Sequence, residues 1–174
     1  MITQNKNTKA NQKLSHLLLS EKEENLQHSI ALMLKQAYYR VSIAKTTQEA
    51  IQTIEMHLNT PESVDLLIAD LDSPKAETYQ YFLDAVSSDR IPAPYLIIAE
   101  ELTADTCSTL MAKGCAACIT KPFEAKLLLE SIETALRSQA WLGKIEQQGG
   151  SNQKKKQMKS ANPATFIKKG DQGV

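Results

Sequence analysis

Residues 64–74 read Val64-Asp-Leu-Leu-Ile-Ala-Asp70-Leu-Asp-Ser-Pro74, an apolar run that ends in a carboxylate with a proline four residues later. Because the run has no polar alternation, it predicts a strand buried on both faces, as in a parallel sheet. Asp70 would then lie at the carboxyl end of this strand, the edge outside which ligands bind in open α/β sheets. Taken alone, Asp70 has two open interpretations: a chemically active carboxylate, or a residue that caps a loop or starts a turn.

On both sides of this strand, short apolar runs alternate with stretches of helical spacing. Gly114 is a usual residue after a helix C-terminus, and Thr46 with Glu49 fits a capping box, with Thr47 as the alternative cap. The alternation implies an α/β fold, a parallel sheet with helices on both faces. The predicted strands are Leu14–Leu19, Val41–Ala44, Leu66–Ala69, Tyr95–Ala99 and Ala116–Ile119, and the predicted helices are Glu24–Ala37, Thr46–Leu58, Glu77–Val86, Thr103–Lys113 and Glu124–Trp141.

Length and composition bound the organisation of the chain. Its 174 residues, 42% of them hydrophobic, suffice for one domain of ordinary size with tails. We expect a disordered tail over 1–13, a folded domain over 14–141 and a flexible basic tail over 142–174. We expect no secretory signal and no membrane span, since no apolar run approaches ~20 residues. Three cysteines do not indicate a disulfide scaffold, so the expected setting is cytoplasmic.

The net charge of zero hides an acidic body between two basic tails. Residues 1–13 carry +3, residues 148–174 carry +5 and residues 14–147 carry −8. Such a body is a poor partner for nucleic acid, so we expect no direct DNA binding. The lysine-rich tail is most simply a solvated end, with binding to an anionic partner as the alternative.

Charged residues cluster directly after the predicted strands, and these positions share one edge of a parallel sheet. Carboxylates there can hold Mg²⁺, a lysine can offset phosphoryl charge, and a further carboxylate can attack a phosphoryl group. Solvated loop residues are the plain alternative. The cluster comprises Ser20 to Glu24 after the first strand, Asp70 and Asp72 after the third, Glu100 and Glu101 after the fourth, and Lys121 after the fifth.

The motif Lys121-Pro122-Phe123 stands 51 residues after Asp70 and follows Gly114-Cys-Ala-Ala-Cys-Ile-Thr. With these motifs, residues 14–140 resemble the receiver domain of bacterial two-component response regulators, a chemotaxis-regulator-like family. There, an aspartate at the end of the third strand accepts a phosphoryl group, and a Lys-Pro-Phe motif, usually with a cis peptide bond, supplies a lysine that contacts it. The resemblance implies a flavodoxin-like sheet of five parallel strands in the order 2-1-3-4-5.

The resemblance also implies roles for single residues. Asp70 would be the phosphoacceptor and Lys121 the phosphoryl contact, and Mg²⁺ would be held by Glu21, Asp70 and the backbone carbonyl of Asp72. The phosphoryl donor would be a histidine kinase or a phosphotransfer protein. The face formed by residues 103–141 would contact a downstream protein, and the family also allows a homodimer.

Three positions depart from the family pattern. Ser20-Glu21 replaces the usual acidic pair, which weakens the expected Mg²⁺ binding, although Glu23 and Glu24 leave this alignment open by a residue or two. Ala99 replaces a hydroxyl that hydrogen-bonds the phosphoryl group, and Cys118 replaces the switch aromatic. One charge-assisted hydrogen bond contributes roughly 1.5–3 kcal/mol, as much as a typical coupling between sites. We therefore expect a weak or altered phosphorylation switch.

The leading functional hypothesis is a stand-alone receiver-like signalling protein of a phosphorelay, not an enzyme. Its rival is a phosphorylation-independent pseudo-receiver that acts as a scaffold or adaptor. A small flavodoxin-like enzyme or a nucleotide binder is disfavoured, because no glycine-rich loop follows the first strand. Cys115 and Cys118 have the spacing of a redox or metal half-site, but the predicted strand favours a core role for Cys118. Trp141 would cover the core edge or mark a contact surface.

Overall fold

The computed structural model describes residues 14–71, 77–147 and 165–166, and side chains up to Ser138. The predicted tail 1–13, Asp72 and most of the predicted tail 142–174 lie outside the described residues, as does the side chain of Trp141. The strands are β1 (His16–Ser20), β2 (Arg40–Ala44), β3 (Leu66–Asp70), β4 (Tyr95–Ala99), β5 (Cys115–Thr120) and β6 (Thr165–Phe166), and the helices are α1 (Glu24–Gln36), α2 (Thr47–His57), α3 (Glu77–Ser87), α4 (Ala104–Ala112) and α5 (Ala125–Gln147).

The strands form one parallel sheet in the order β2-β1-β3-β4-β5-β6. Its first five strands follow the predicted order 2-1-3-4-5, so the flavodoxin-like α/β fold is confirmed. The sixth strand, β6, was not predicted. Helix α5 also runs past the predicted domain boundary at 141 and ends at Gln147.

The central strand β3 is buried on both faces, as its continuous apolar run predicts. Leu66 and Ile68 pack in one core layer with residues of α1 and α5. Leu67 and Ala69 pack in the other layer with residues of α2, α3 and α4. Alternate side chains of a strand point to opposite faces of the sheet, so a strand between two helical layers needs apolar residues at every position.

Local signals set several element ends. Thr46 is the N-cap of α2, because its hydroxyl accepts a hydrogen bond from the Glu49 amide at 3.1 Å. Gly114 follows α4 with a φ of +96°, in the left-handed region that glycine adopts without a Cβ clash. Both observations agree with the sequence prediction. The hydrogen bond to Glu49 also identifies Thr46, rather than its alternative Thr47, as the N-cap of α2.

β1 begins at His16 rather than at the predicted Leu14. The His16 amide donates to Asp65 Oδ2 at 2.7 Å, and its buried ring contacts the Glu62 carbonyl oxygen at 3.0 Å and Ser42 Oγ at 2.8 Å. These polar contacts fix the start of β1 at the amino ends of the strands, whereas Asp70 lies at their carboxyl ends. The pattern of apolar residues carries no information about polar contacts, and it therefore predicts that β1 starts earlier, at Leu14.

Candidate functional site

Three charged side chains meet at the carboxyl ends of β1, β3 and β5. Lys121 Nζ lies 2.9 Å from Glu21 Oε2 and 3.0 Å from Asp70 Oδ1. The exposed fractions of the side chains are 1% for Glu21, 6% for Asp70 and 15% for Lys121. One largely buried ammonium group therefore bridges two largely buried carboxylates, and we call these three residues the acidic triad.

The register of the sheet brings the acidic triad together. Ser20, the last residue of β1, pairs with Ala69 of β3. The residues that follow them in the chain, Glu21 and Asp70, therefore lie side by side. At the other side, the Lys121 amide donates to the Ala99 carbonyl oxygen at 2.9 Å. The peptide bond that follows, between Lys121 and Pro122, is cis, as the receiver-domain resemblance implies.

Local hydrogen bonds select Glu21 rather than Glu23 as the carboxylate of the first loop. The Glu23 amide donates to Glu21 Oε1 at 2.9 Å, and the Gln27 side-chain amide donates to the Glu21 carbonyl oxygen at 2.6 Å. Glu23 itself is the N-cap of α1 and accepts from the Asn25 and Leu26 amides. Gln27 lies one helical turn into α1, and no sequence motif marks it as a residue that positions Glu21.

Burial and like charge act together on Asp70. Desolvation raises the pKa of Asp70 from 3.8 to about 6, hydrogen bonding to Lys121 opposes this shift, and the Glu21 carboxylate adds to it. Desolvation alone would lower the pKa of Lys121, but its hydrogen bonds to Glu21 and Asp70 outweigh burial, and the pKa is raised. Lys121 is therefore protonated, while Asp70 changes charge within a unit or so of neutral pH.

The donor chemistry of the acidic triad fits a hydrated Mg²⁺. This ion keeps several waters and commonly takes one or two protein carboxylates, which Glu21 and Asp70 can supply. Lys121 competes for one oxygen of each carboxylate. Among the described side chains, those of 14–71 and 77–138, no three Asp, Glu, His or Cys residues form a metal-binding group. The expected third ligand, the backbone carbonyl of Asp72, lies outside the described residues.

Two acidic residues of the predicted cluster lie outside the acidic triad. Glu100 and Glu101 follow β4 directly, yet both side chains are exposed to solvent. Ser20, which stands where the family has an acidic residue, is buried at the end of β1 with 3% of its surface exposed. Convergence of strand ends was therefore the right principle for Glu21, Asp70 and Lys121, but it does not extend to every acidic residue after a strand.

The two substituted switch positions lie in the core beside the acidic triad. Ala99, at the end of β4, and Cys118, in β5, are both buried, and Ala99 offers only a methyl group. Cys118 Sγ lies 3.9 Å from Cys115 Sγ. A hydrogen bond with Cys115 and burial raise the pKa of Cys118, and burial raises the pKa of Cys107 to about 12. The thiols of Cys107 and Cys118 therefore stay protonated, and all three cysteines are buried in the core.

Several solved structures with the same fold are receiver domains. The CheY-like response regulator receiver domain protein from Methanospirillum hungatei superposes with a TM-score of 0.61 and 23% identity, covering 79% of this chain and 100% of its own. The non-phosphorylated HemR receiver domain from Leptospira biflexa has a TM-score of 0.56 and 29% identity, covering 70% of this chain and 94% of its own. The predicted resemblance to receiver domains is confirmed. These domains are signalling domains rather than classical enzymes.

Sequence comparison agrees with the resemblance to response regulators: the "Two-component response regulator-like APRR5" of Arabidopsis thaliana is 27% identical over 107 residues, which are 61% of this chain and 19% of that protein. The "Probable transcriptional regulator ycf27" of Cyanidium caldarium is 28% identical over 129 residues, which are 74% of this chain and 49% of that protein. The chain thus spans about half the length of this curated relative. No protein-family model matches the chain. None of the helices in the described part of the chain is long and apolar enough to cross a membrane.

Proposed function

We propose that this receiver-like domain accepts a phosphoryl group on Asp70 and signals through protein–protein contacts. The observation that carries the proposal is the position of Lys121 Nζ, 3.0 Å from the Asp70 carboxylate and 2.9 Å from Glu21. In this arrangement the Asp70 carboxylate can act as a nucleophile, and the buried Lys121 ammonium provides positive charge for the incoming phosphoryl oxygens. The donor would be a histidine kinase or a phosphotransfer protein.

The transfer replaces one bond with another. A carboxylate oxygen of Asp70 attacks the phosphorus of a phosphohistidine, the new P–O bond forms, and the P–N bond breaks with its electron pair left on the imidazole nitrogen. Lys121 pairs with the phosphoryl oxygens, and Glu21 holds the lysine in place. Mg²⁺, when bound by Glu21 and Asp70, supplies positive charge that reduces repulsion between donor and acceptor.

Protonation of Asp70 limits this reaction. Because its pKa is about 6, a protonated and non-nucleophilic fraction grows as the pH falls through that value. Phosphorylation should therefore be faster at pH 8 than at pH 5. In the cytoplasm, the setting we propose for a chain with three free thiols, most Asp70 side chains are ionised.

A small acyl phosphate tests the acceptor role without a cognate kinase. The chain is incubated with Mg²⁺ and acetyl phosphate, and its mass is measured. We expect the mass of one phosphoryl group in the wild type, none in Asp70→Asn, and wild-type behaviour in Glu100→Gln, whose exposed carboxylate lies near the same edge. Equal phosphorylation of Asp70→Asn and the wild type would refute Asp70 as the acceptor.

A phosphorylation-independent scaffold is the second candidate, favoured by the apolar switch positions Ala99 and Cys118. Both candidates use the face made by residues 103–141 for partner contacts. Proteins captured from a lysate by the wild type, Asp70→Ala and Asp70→Glu distinguish the candidates. Equal capture by all three favours the scaffold, whereas loss in Asp70→Ala alone favours the phosphorylation-dependent function.

A further inference from the structure

Strand β5 has a neighbour on each side, and the outer neighbour comes from the far end of the chain. On the inner side β5 pairs with β4. On the outer side Ala117 pairs with Thr165 and Cys118 with Phe166, in parallel. Without β6, the outer edge of β5 would present unpaired backbone N–H and C=O groups, which readily pair with another extended segment.

The sequence of the tail singles out the same segment. Residues 148–174 contain six lysines and otherwise mainly small or polar residues. Phe166 and Ile167 are the only adjacent pair of large apolar residues in this stretch, and Thr165 precedes them. β-branched and aromatic residues favour strands. The segment that pairs with β5 is thus also the part of the tail with the composition of a strand.

We propose that the outer edge of β5 is a docking site for an extended peptide strand, and that Thr165–Phe166 of the same chain occupies it. Addition of a strand to a sheet edge is a general mode of peptide recognition, in which backbone hydrogen bonds provide the binding. Within the described part of the tail the pairing involves two residues, whereas the core strands have five or six, so we expect it to open more readily than they do.

The position of this edge gives the pairing a consequence for partner binding. β5 lies between α4 and α5 along the chain, within the face 103–141 that we propose for partner contacts. A partner that extends the sheet at β5 must first displace Thr165–Phe166. The tail then acts as an intramolecular competitor, and this inference holds whether or not Asp70 is phosphorylated.

Hydrogen–deuterium exchange of β5 in the full chain tests the proposal. The test variant carries Thr165→Pro and Phe166→Pro, which remove both strand N–H groups. The matched control carries Gln157→Pro and Met158→Pro, which place two prolines and the loss of one apolar side chain elsewhere in the same tail. Exchange is followed in peptides that cover Cys115–Thr120, at two protein concentrations tenfold apart.

We expect the test variant to exchange its outer β5 amides roughly fivefold to thirtyfold faster, as expected for the loss of one or two net hydrogen bonds of about 1 kcal/mol each. The control variant should match the wild type, and the rates should not depend on concentration. Equal exchange in all three chains would refute docking at β5. Protection that grows with concentration would show that the strand comes from a second copy and would overturn docking within one chain.

Discussion

The acidic triad and the neighbouring switch positions are adjacent in the sheet but opposite in chemistry. Glu21, Asp70 and Lys121 are charged, buried and joined by contacts of 2.9 and 3.0 Å. Ala99 and Cys118 lie on the next two strands and offer a methyl group and a protonated thiol. The first region has the groups that we propose accept a phosphoryl group, and the second lacks the hydroxyl and aromatic pair that the receiver-domain resemblance associates with transmission. We therefore expect acceptance of a phosphoryl group and its transmission to be separable in this chain.

The largest effect should come from removing the cation of the acidic triad. Lys121→Ala leaves two buried carboxylates without their shared partner, and we expect a loss of about 3 kcal/mol in the free energy of unfolding at pH 8. Urea denaturation measures it. Lys126→Ala is the control, since its pair with Glu130 at 3.8 Å is exposed and contributes less than about 0.5 kcal/mol. Equal losses would mean that the acidic triad is no more strongly coupled than a surface pair.

The charge on Asp70 should produce the next largest effect. Its pKa of about 6 in the folded chain exceeds the unfolded value of 3.8. Between these two pH values the folded chain binds more protons than the unfolded chain, so this group lowers stability as the pH rises. We expect Asp70→Asn to gain about 2 kcal/mol relative to the wild type between pH 4 and pH 8. Urea denaturation across this range measures the gain, and a constant difference would contradict the raised pKa.

In the switch region, a polar substitution should be moderately destabilising. Cys118→Ser puts a hydroxyl among apolar side chains and weakly accepting thiols, and we expect a loss of about 1.5 kcal/mol in urea denaturation. Cys118→Ala is the control that changes volume without adding a polar group, with a loss of about 1 kcal/mol or less. If serine is tolerated better than alanine, this region has polar partners and the contrast with the acidic triad fails.

The smallest effect concerns the missing hydroxyl of β4. Ala99→Ser buries a hydroxyl and should reduce stability by about 1 kcal/mol. Phosphorylation of Asp70 should restore this loss, because the phosphoryl oxygens offer the hydroxyl an acceptor. Thermal unfolding with and without acetyl phosphate measures both values, and Ala104→Ser, at an exposed position, is the control. If phosphorylation leaves the stability loss of Ala99→Ser unchanged, the hydroxyl at position 99 does not reach the phosphoryl group on Asp70.

The sequence predicts most of this architecture because its signals are local and periodic. The apolar run of β3, the Gly114 stop and the positions of Asp70 and Lys121 follow from spacing. The choice of Glu21 over Glu23 does not, because it depends on which carboxylate caps α1. Strand β6 escapes prediction for another reason: a two-residue strand has no periodicity, and its pairing depends on a distant edge.

The central claim is that Asp70 accepts a phosphoryl group whose effect on the face 103–141 is weak. Two-dimensional NMR of backbone amides, with Mg²⁺ and before and after acetyl phosphate, measures acceptance and transmission together. We predict modification of Asp70 with the largest shift changes at the neighbours of Glu21, Asp70 and Lys121 and with small changes in α4 and β5. Failure of Asp70 to react, or rapid modification with large shifts throughout α4 and β5, would contradict it.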